Sequence, residues 1–365
     1  MECNVSSLES KMERESYIDA LKGIAIILVI IGHCNLSGIV TIPIYWFHMP
    51  LFFFISGYLD SNQNIGFKEY LIKKLKRLIY PYIIFGILII LFNTIKDYLL
   101  GNFELNKLIK RIIALIYGNK IWENNYDYIG TLWFLAALFC VSIISYCLFQ
   151  ISNKKKRLVI SLIVFFVGIV VVYVEKIINV RLPWCLDVAL VAIPFLASGH
   201  ILREKIKENA LYIKIYSGKF VIICFAAAVI FSIANLAYMF FMKYKSLKTD
   251  MLALNLGIIC LFVIGALSWS VSIFIISKII NIGRLSLLCL IGKCSLIIMI
   301  THLYIKEILE LIIAKFSFWG IKYIIFVLTV LFSVSVSVVI YRYLPWLYTF
   351  NWGLKQKRGG KSEKN

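Results

Sequence analysis

Residues 18–38 read IDALKGIAIILVIIGHCNLSG, and this apolar run gives the clearest indication of the fold class. At about 1.5 Å per residue it can cross the hydrocarbon core of a bilayer, which is roughly 30 Å thick. The stretch also contains Lys22 and His33, and an ionisable group inside a span is costly unless it faces protein or a water-filled cavity. The sequence therefore predicts a transmembrane helix with one polar face.

The other residues of the 365-residue chain have the same character, since 61% of the whole is hydrophobic and 16% is charged. A soluble protein needs a largely polar surface and could not bury so many long apolar runs, so that class is excluded. Apolar runs separated by turn and charge signals predict ten spans. They lie at residues 18–38, 44–60, 78–98, 129–150, 157–175, 183–202, 218–241, 251–277, 285–312 and 317–343.

The predicted fold class is therefore all-α, a polytopic transmembrane helix bundle of about ten spans. One transmembrane domain is expected over residues 1–352, followed by a polar, disordered cytoplasmic tail at 353–365. Segment 105–117 is too short and too basic to cross, and it is predicted as an amphipathic helix in the membrane interface. A polar, aromatic stretch follows it at residues 122–128.

Positive charge is distributed along the chain in a way that predicts orientation. The chain has 39 Lys and Arg against 19 Asp and Glu, but the basic residues lie in short connections rather than in one patch, which argues against a nucleic-acid partner. With a cytoplasmic N-terminus, the inner connections contain 23 Lys and Arg and the outer ones 11. The positive-inside rule then places the N- and C-termini in the cytoplasm.

Three of the four histidines are predicted at one depth in the outer half of the membrane: His33, His48 and His302. Lys22 is eleven residues before His33, so the two differ by about 20° around the helix and roughly 16 Å along it, and both should face one crevice. A histidine in a helix bundle can simply be a satisfied polar group. An imidazole whose pKa is near ambient pH can also take a proton from an attacking hydroxyl, which is general-base catalysis.

A cluster of cations is predicted at the cytoplasmic end. Lys22, Lys74 and Arg77 could hold an anionic, phosphate-bearing donor, although basic inner loops also serve topology alone. Asp19, Ser56 and His302 are candidates for groups that orient the reactants, and Ser56 is assigned to the donor site. Trp133 belongs to an aromatic belt or stacks on a sugar. No metal site is predicted.

These residues resemble the integral-membrane acyltransferase family three, which attaches acetyl or other acyl groups to surface polysaccharides and related glycans. Residues 17–25 (YIDALKGIA) leading to His33 resemble the first-helix pattern of the family. Residues 47–57 (FHMPLFFFISG) resemble its second-helix signature, in the form typical of fucose 4-O-acetylase-like members. Three more stretches resemble later segments of the family: residues 132–135 (LWFL), 194–199 (PFLASG) and 291–295 (IGKCS) leading to His302.

The resemblance implies an O-acyltransferase of the bacterial cytoplasmic membrane, with His33 as an essential catalytic group acting as base or acyl carrier. It implies acetyl-CoA or another acyl-CoA as the cytosolic donor substrate, a glycan or lipid-linked sugar as acceptor, and no permanently bound cofactor. The chain departs from the family in carrying Lys22 and Lys74 where arginine is usual, which loses the bidentate guanidinium but keeps the charge.

Two other classes of function remain open at this stage, and so does the oligomeric state. A transporter or flippase would use the same intramembrane His and Lys residues as a proton or substrate path. A scaffold for a glycan synthase would not need His33 at all.

Overall fold

The computed structural model describes residues 2–60, 65–119, 130–207, 218–279, 285–313 and 320–349. The predicted tail at 353–365 and the aromatic stretch at 122–128 lie outside these ranges. Within them the chain is built from α-helices, with short 3₁₀ turns and one π-helical turn. The helices are α1 (Glu2–His33), α2 (Gly38–Tyr45), α3 (His48–Leu59), α4 (Phe67–Lys74), α5 (Tyr80–Leu99), α6 (Leu105–Tyr117), α7 (Trp133–Phe149), α8 (Lys154–Ile178), α9 (Leu186–Lys207), α10 (Gly218–Phe241), α11 (Ile259–Ile279), α12 (Ser286–Lys293), α13 (Ser295–Ile313) and α14 (Ile321–Tyr343).

The predicted fold class is confirmed. Nine helical segments of the described chain are long and apolar enough to cross a membrane, and there are ten if α12 and α13 together count as one broken span. Three of these segments, α8, α10 and α14, have only 17% of their span buried. Their exposed apolar side chains form the outer face of the bundle, as expected for helices in contact with lipid.

Two spans that were predicted to be continuous helices are broken in the structure. The span at 44–60 is divided between α2 and α3 at Trp46 and Phe47, because Phe47 leaves the helical conformation and Pro50 has no N–H to continue the ladder. The span at 285–312 bends by 79° between α12 and α13. The first break lies beside the predicted site residue His48, and the second follows Lys293, the last residue of α12.

The predicted span at 251–277 starts too early. Residues 249–258 form an irregular loop, and α11 begins at Ile259. The loop is stabilised by its own polar groups, because Asp250 and Asn255 exchange backbone hydrogen bonds of 2.9 Å. Burial raises the pKa of the Asp250 carboxyl, and backbone N–H groups of the loop oppose that shift. The apolar residues 251–254 made this loop look like the start of a helix.

The predicted helix at 105–117 is confirmed as α6. Arg111, which the topology prediction counted as a surface charge, is buried and pairs with Asp97 of α5 at 2.7 Å. This ion pair attaches α6 to the end of α5, so α6 is part of the packed protein as well as amphipathic.

Glycines allow two pairs of helices to touch at the backbone. On α3, a Cβ added to Gly57 would overlap the carbonyl oxygen of Leu196, and one added to Gly199 of α9 would overlap that of Phe54. The contact between α1 and α12 is of the same kind, at Gly23 and Gly292. Small residues permit this close approach in membrane bundles, and it fixes the helices that carry the site.

The Gly57→Ala substitution tests this packing. We expect it to lower the stability of the detergent-solubilised protein by about 1–3 kcal/mol, the usual cost of overpacking a tight contact. Thermal unfolding measures the effect. Gly66→Ala is the matched control, because Gly66 has a φ of −62° and no neighbour near its added Cβ. Equal melting temperatures for both variants would contradict the proposed close contact.

Candidate active site

Three histidines from separate helices lie together in the structure. His33 ends α1, His48 begins α3 and His302 lies within α13. The rings of His33 and His302 have centroids 5.3 Å apart. The ring of Tyr45 is next to those of His33 and His48, with centroid distances of 6.1 Å to His33 and 4.8 Å to His48. The sequence analysis expected the three histidines at one depth, and the structure brings them into one cluster.

Backbone carbonyls determine which nitrogen carries the proton in two of these rings. His302 Nδ1 lies 3.0 Å from the carbonyl oxygen of Ile298 and 2.9 Å from that of Met299. His48 Nδ1 lies 2.9 Å from the oxygen of Ile44. A carbonyl can only accept, so each Nδ1 donates, and in the neutral ring each Nε2 keeps a free lone pair. Both histidines can therefore accept a proton or hydrogen bond at Nε2.

The Nε2 atom of His302 is a buried acceptor without a hydrogen-bond partner among the described residues. Its ring is fully buried. Buried polar atoms are normally satisfied in folded proteins, and an exception of this kind is often a functional group. The exception lies beside His33, the residue predicted to be catalytic.

His33 and His48 line a cavity of about 70 Å³, which we call the histidine cavity. Trp133, predicted to stack on a sugar, is one of its walls, and His33 is partly exposed to it. The cavity is lined by Val29, His33, Tyr45, His48, Met49, Gly130, Thr131, Trp133, Phe134, Thr249, Asp250, Met251, Leu252, Met299 and Leu303.

One wall of the histidine cavity comes from the loop that the sequence analysis assigned to a span. Residues 249–252 contribute to the lining. Thr249 Oγ1 donates to the carbonyl oxygen of Tyr45 at 2.9 Å, and the Lys248 ammonium lies 5.1 Å from the Tyr45 ring centroid. Arg181 Nη1 holds the oxygen of Leu252 at 2.7 Å while its Nε binds the buried carboxylate of Asp187 at 2.6 Å. The loop is thus fixed in place from both sides.

A second, larger cavity of about 610 Å³ contains the predicted donor residues, and we call it the basic cavity. Its lining includes Ser56 and six cations. The cations are Lys22, Lys73, Lys74, Lys76, Arg77 and Lys293. The structure therefore brings the predicted residues Lys22, Lys74 and Arg77 together, and it adds Lys293.

The cations of the basic cavity differ in how far their charge is already compensated. Lys22 pairs with Asp19 at 3.0 Å, and Lys74 pairs with Asp60 at 2.9 Å. Within the part of the chain that the structure describes, no carboxylate forms a salt bridge with the exposed guanidinium of Arg77. A phosphate can therefore bind Arg77 without displacing a carboxylate.

A π-helical turn at Leu75–Ile79 carries Lys76 and Arg77 between α4 and α5. Such turns contain one extra residue and often occur at functional sites, because they change which side chains share a face. Here the turn joins the basic segment to the apolar span, and its two cations line the basic cavity.

Lys22 and His33 were expected to face one crevice, and the structure corrects this expectation. Lys22 lines the basic cavity and His33 lines the histidine cavity. Phe134 and Met299 line both cavities and so form the wall that separates them. The position of these two side chains between the cavities could not be predicted from the helix geometry of α1 alone.

Asp19 does not reach the histidines. It lies fourteen residues before His33 on α1, roughly 21 Å along the helix axis, and its carboxylate pairs with Lys22. Its position supports a role beside the donor cations rather than in orienting a catalytic histidine.

Three residues of the two cavities and their surroundings were not predicted from the sequence: Asp60, Tyr45 and Lys293. Asp60 is buried and accepts from Tyr70 at 2.6 Å as well as from Lys74. An acidic residue directly after an apolar run and before a lysine-rich helix was an available signal for such a pair. Lys293 was also visible as a charge inside a predicted span. Tyr45 carried no such signal, since its place beside the histidines depends on the break between α2 and α3.

A comparison with protein-family models matches an acyltransferase domain, acyltransferase family 3, over residues 15–342. The search of curated proteins and the search of solved structures gave no match. The family match includes His33, all lining residues of the histidine cavity, and those of the basic cavity except Tyr348 and Thr349. The chain therefore belongs to acyltransferase family 3 and is a multi-pass membrane acyltransferase.

Proposed function

We propose that the protein transfers an acetyl group from cytosolic acetyl-CoA to a sugar hydroxyl of a cell-surface glycan or of its lipid-linked precursor. One observation carries this proposal: two cavities share the lining residues Phe134 and Met299. One of them is lined by cations and suits an anionic donor, and the other is lined by histidines. The family match supports acyl transfer, and it favours this function over the transporter and scaffold alternatives.

The basic cavity suits coenzyme A on grounds of charge. Coenzyme A carries a 3′-phosphate and a diphosphate, while its acyl end is neutral. Six cations line the cavity, and Arg77 can bind a phosphate with two parallel hydrogen bonds. Asp19 and Asp60 neutralise and position Lys22 and Lys74. In this proposal Ser56 and Lys293 complete the donor site.

The histidine cavity suits the chemistry. The acceptor hydroxyl oxygen attacks the thioester carbonyl carbon, so that a C–O bond forms and the C–S bond breaks. His33 takes the hydroxyl proton as general base and returns it to the thiolate of coenzyme A. In the alternative route, His33 first carries the acyl group on its ring and then passes it to the hydroxyl. His48 and His302 offer Nε2 lone pairs near this step, and Trp133 stacks on the acceptor sugar.

The proposed orientation places both termini and the basic cavity on the cytoplasmic side of a bacterial cytoplasmic membrane. Coenzyme A is a cytosolic molecule, and the lysine-rich segment before α5 follows the positive-inside rule. The histidine cavity then lies towards the outer side, where a surface glycan or lipid-linked sugar is available.

The His33→Ala substitution tests the proposed chemistry. Membranes with the wild-type protein should transfer radiolabel from acetyl-CoA to a glycan, and the variant should lose at least about 10²–10⁴-fold in rate, the usual contribution of a general base. His200→Ala is the matched control, because His200 lies on α9 outside both cavities. Turnover retained by His33→Ala at normal protein level would reject the assignment of His33.

The Arg77→Gln substitution tests the donor site. A hydrogen bond to a charged group contributes about 1.5–3 kcal/mol, so the KM for acetyl-CoA should rise about tenfold or more with little change in kcat. Lys68→Gln removes a positive charge from the same segment, at an exposed residue outside the basic cavity. An equal rise in KM for both variants would show a general charge effect and would contradict a phosphate contact at Arg77.

A further inference from the structure

The wall between the two cavities consists of apolar side chains. Phe134 and Met299 are only 4% and 3% exposed, and they line both cavities. Phe134 packs against Phe53 and Phe52, with ring centroids 5.0 and 5.9 Å away. A donor that extends from the basic cavity towards His33 therefore meets the apolar side chains of Phe134 and Met299.

Such a wall treats the two ends of the proposed donor differently. The phosphates of coenzyme A would lose their hydration and their cationic partners on entering it, which costs several kcal/mol per charge. The neutral acyl thioester loses little. Met299 is unbranched, with rotatable bonds that can make room for a narrow chain. Phe134 has less freedom, because it is packed against Phe53.

The space beyond the wall is small. An apolar cavity of about 150 Å³ accommodates a six-membered carbon ring. The histidine cavity, at about 70 Å³, therefore has room for roughly three heavy atoms on the same scale. An acetyl group has three. The attacking hydroxyl needs to reach the carbonyl carbon only from the edge of this space, whereas a longer acyl chain would collide with the residues that line it.

We propose that Phe134 and Met299 form a gate that admits only the acyl end of the donor to His33, and that this gate with the histidine cavity restricts transfer to acyl groups of about acetyl size. This inference rests on the proposed function and deepens it, since it names the residues that select the acyl group. The gate residues do not take part in bond making, and the C–S and C–O bond changes are those given above.

The test compares acetyl-, butanoyl- and hexanoyl-CoA as donors, each with water or a sugar as acceptor, and follows the release of the coenzyme A thiol. One added methylene in a hydrophobic pocket changes kcat/KM by about 10–200-fold. Wild type should therefore prefer acetyl-CoA over butanoyl-CoA at least tenfold. Met299→Ala and Phe134→Leu should each lower that preference about tenfold or more, by raising kcat/KM for butanoyl-CoA.

Two matched controls separate gating from loss of packing. Met239→Ala and Phe195→Leu remove the same side chains from buried residues that line neither cavity, and they should leave the ratio of donors unchanged. A third variant, Met299→Phe, narrows the gate, and it should lower kcat with acetyl-CoA while the KM for the donor stays near the wild-type value.

The outcomes distinguish this inference from the function on which it rests. Equal use of acetyl- and hexanoyl-CoA by wild type overturns the size limit and leaves acyl-CoA transfer intact. Gate variants that slow all donors equally, or controls that change the ratio as much, overturn the role of Phe134 and Met299. A wild-type protein that consumes none of the three donors overturns the proposed function, and the gate with it.

Discussion

Between α1 and α12, and again between α3 and α9, the backbone of one helix touches the backbone of the other. No side chain separates them at Gly23 and Gly292 or at Gly57 and Gly199, so the helix axes cannot shift without a clash or a void. These four helices carry Lys22, His33, Ser56 and Lys293 or lie directly behind them. Both cavities depend on this contact, because part of each lining projects from these helices: His33 and His48 in the histidine cavity, and Lys22, Ser56 and Lys293 in the basic cavity.

The arrangement of the interior polar groups is constrained by the lipid that surrounds the bundle. In a bundle surrounded by lipid, a charged or hydrogen-bonding group must find a partner inside the protein. The Asp60 carboxylate accepts hydrogen bonds from Tyr70 and Lys74. Arg181 donates both to Asp187 and to the loop at 249–252. The partners are the reason that these groups are held in fixed positions. The Nε2 atom of His302 is one of several buried side-chain atoms that have no hydrogen-bond partner within the described residues, and it is the one that lies beside His33.

The fold was predictable from the sequence because apolar runs such as 218–241 have lengths that match a bilayer, and that run begins and ends as predicted. The donor cations and histidines were also identifiable, since charges inside spans are unusual. The breaks at Trp46 and Cys294 were not predicted, and neither was the loop at 249–258. Each of these segments is apolar enough to pass as helix, and its shape depends on packing against distant residues. The division into two cavities depends on Phe134 and Met299, which look like any other core residues in the sequence.

The apolar wall has a further consequence for the membrane in which the enzyme works. A proton or hydrated cation that enters the basic cavity meets repulsion from lysines and then a barrier at Phe134 and Met299 that offers no replacement for its water. These two side chains therefore oppose the passage of ions between the two cavities, even though they line both. In whichever membrane holds it, such an enzyme would pass an acyl group between the two cavities without giving ions a path between them.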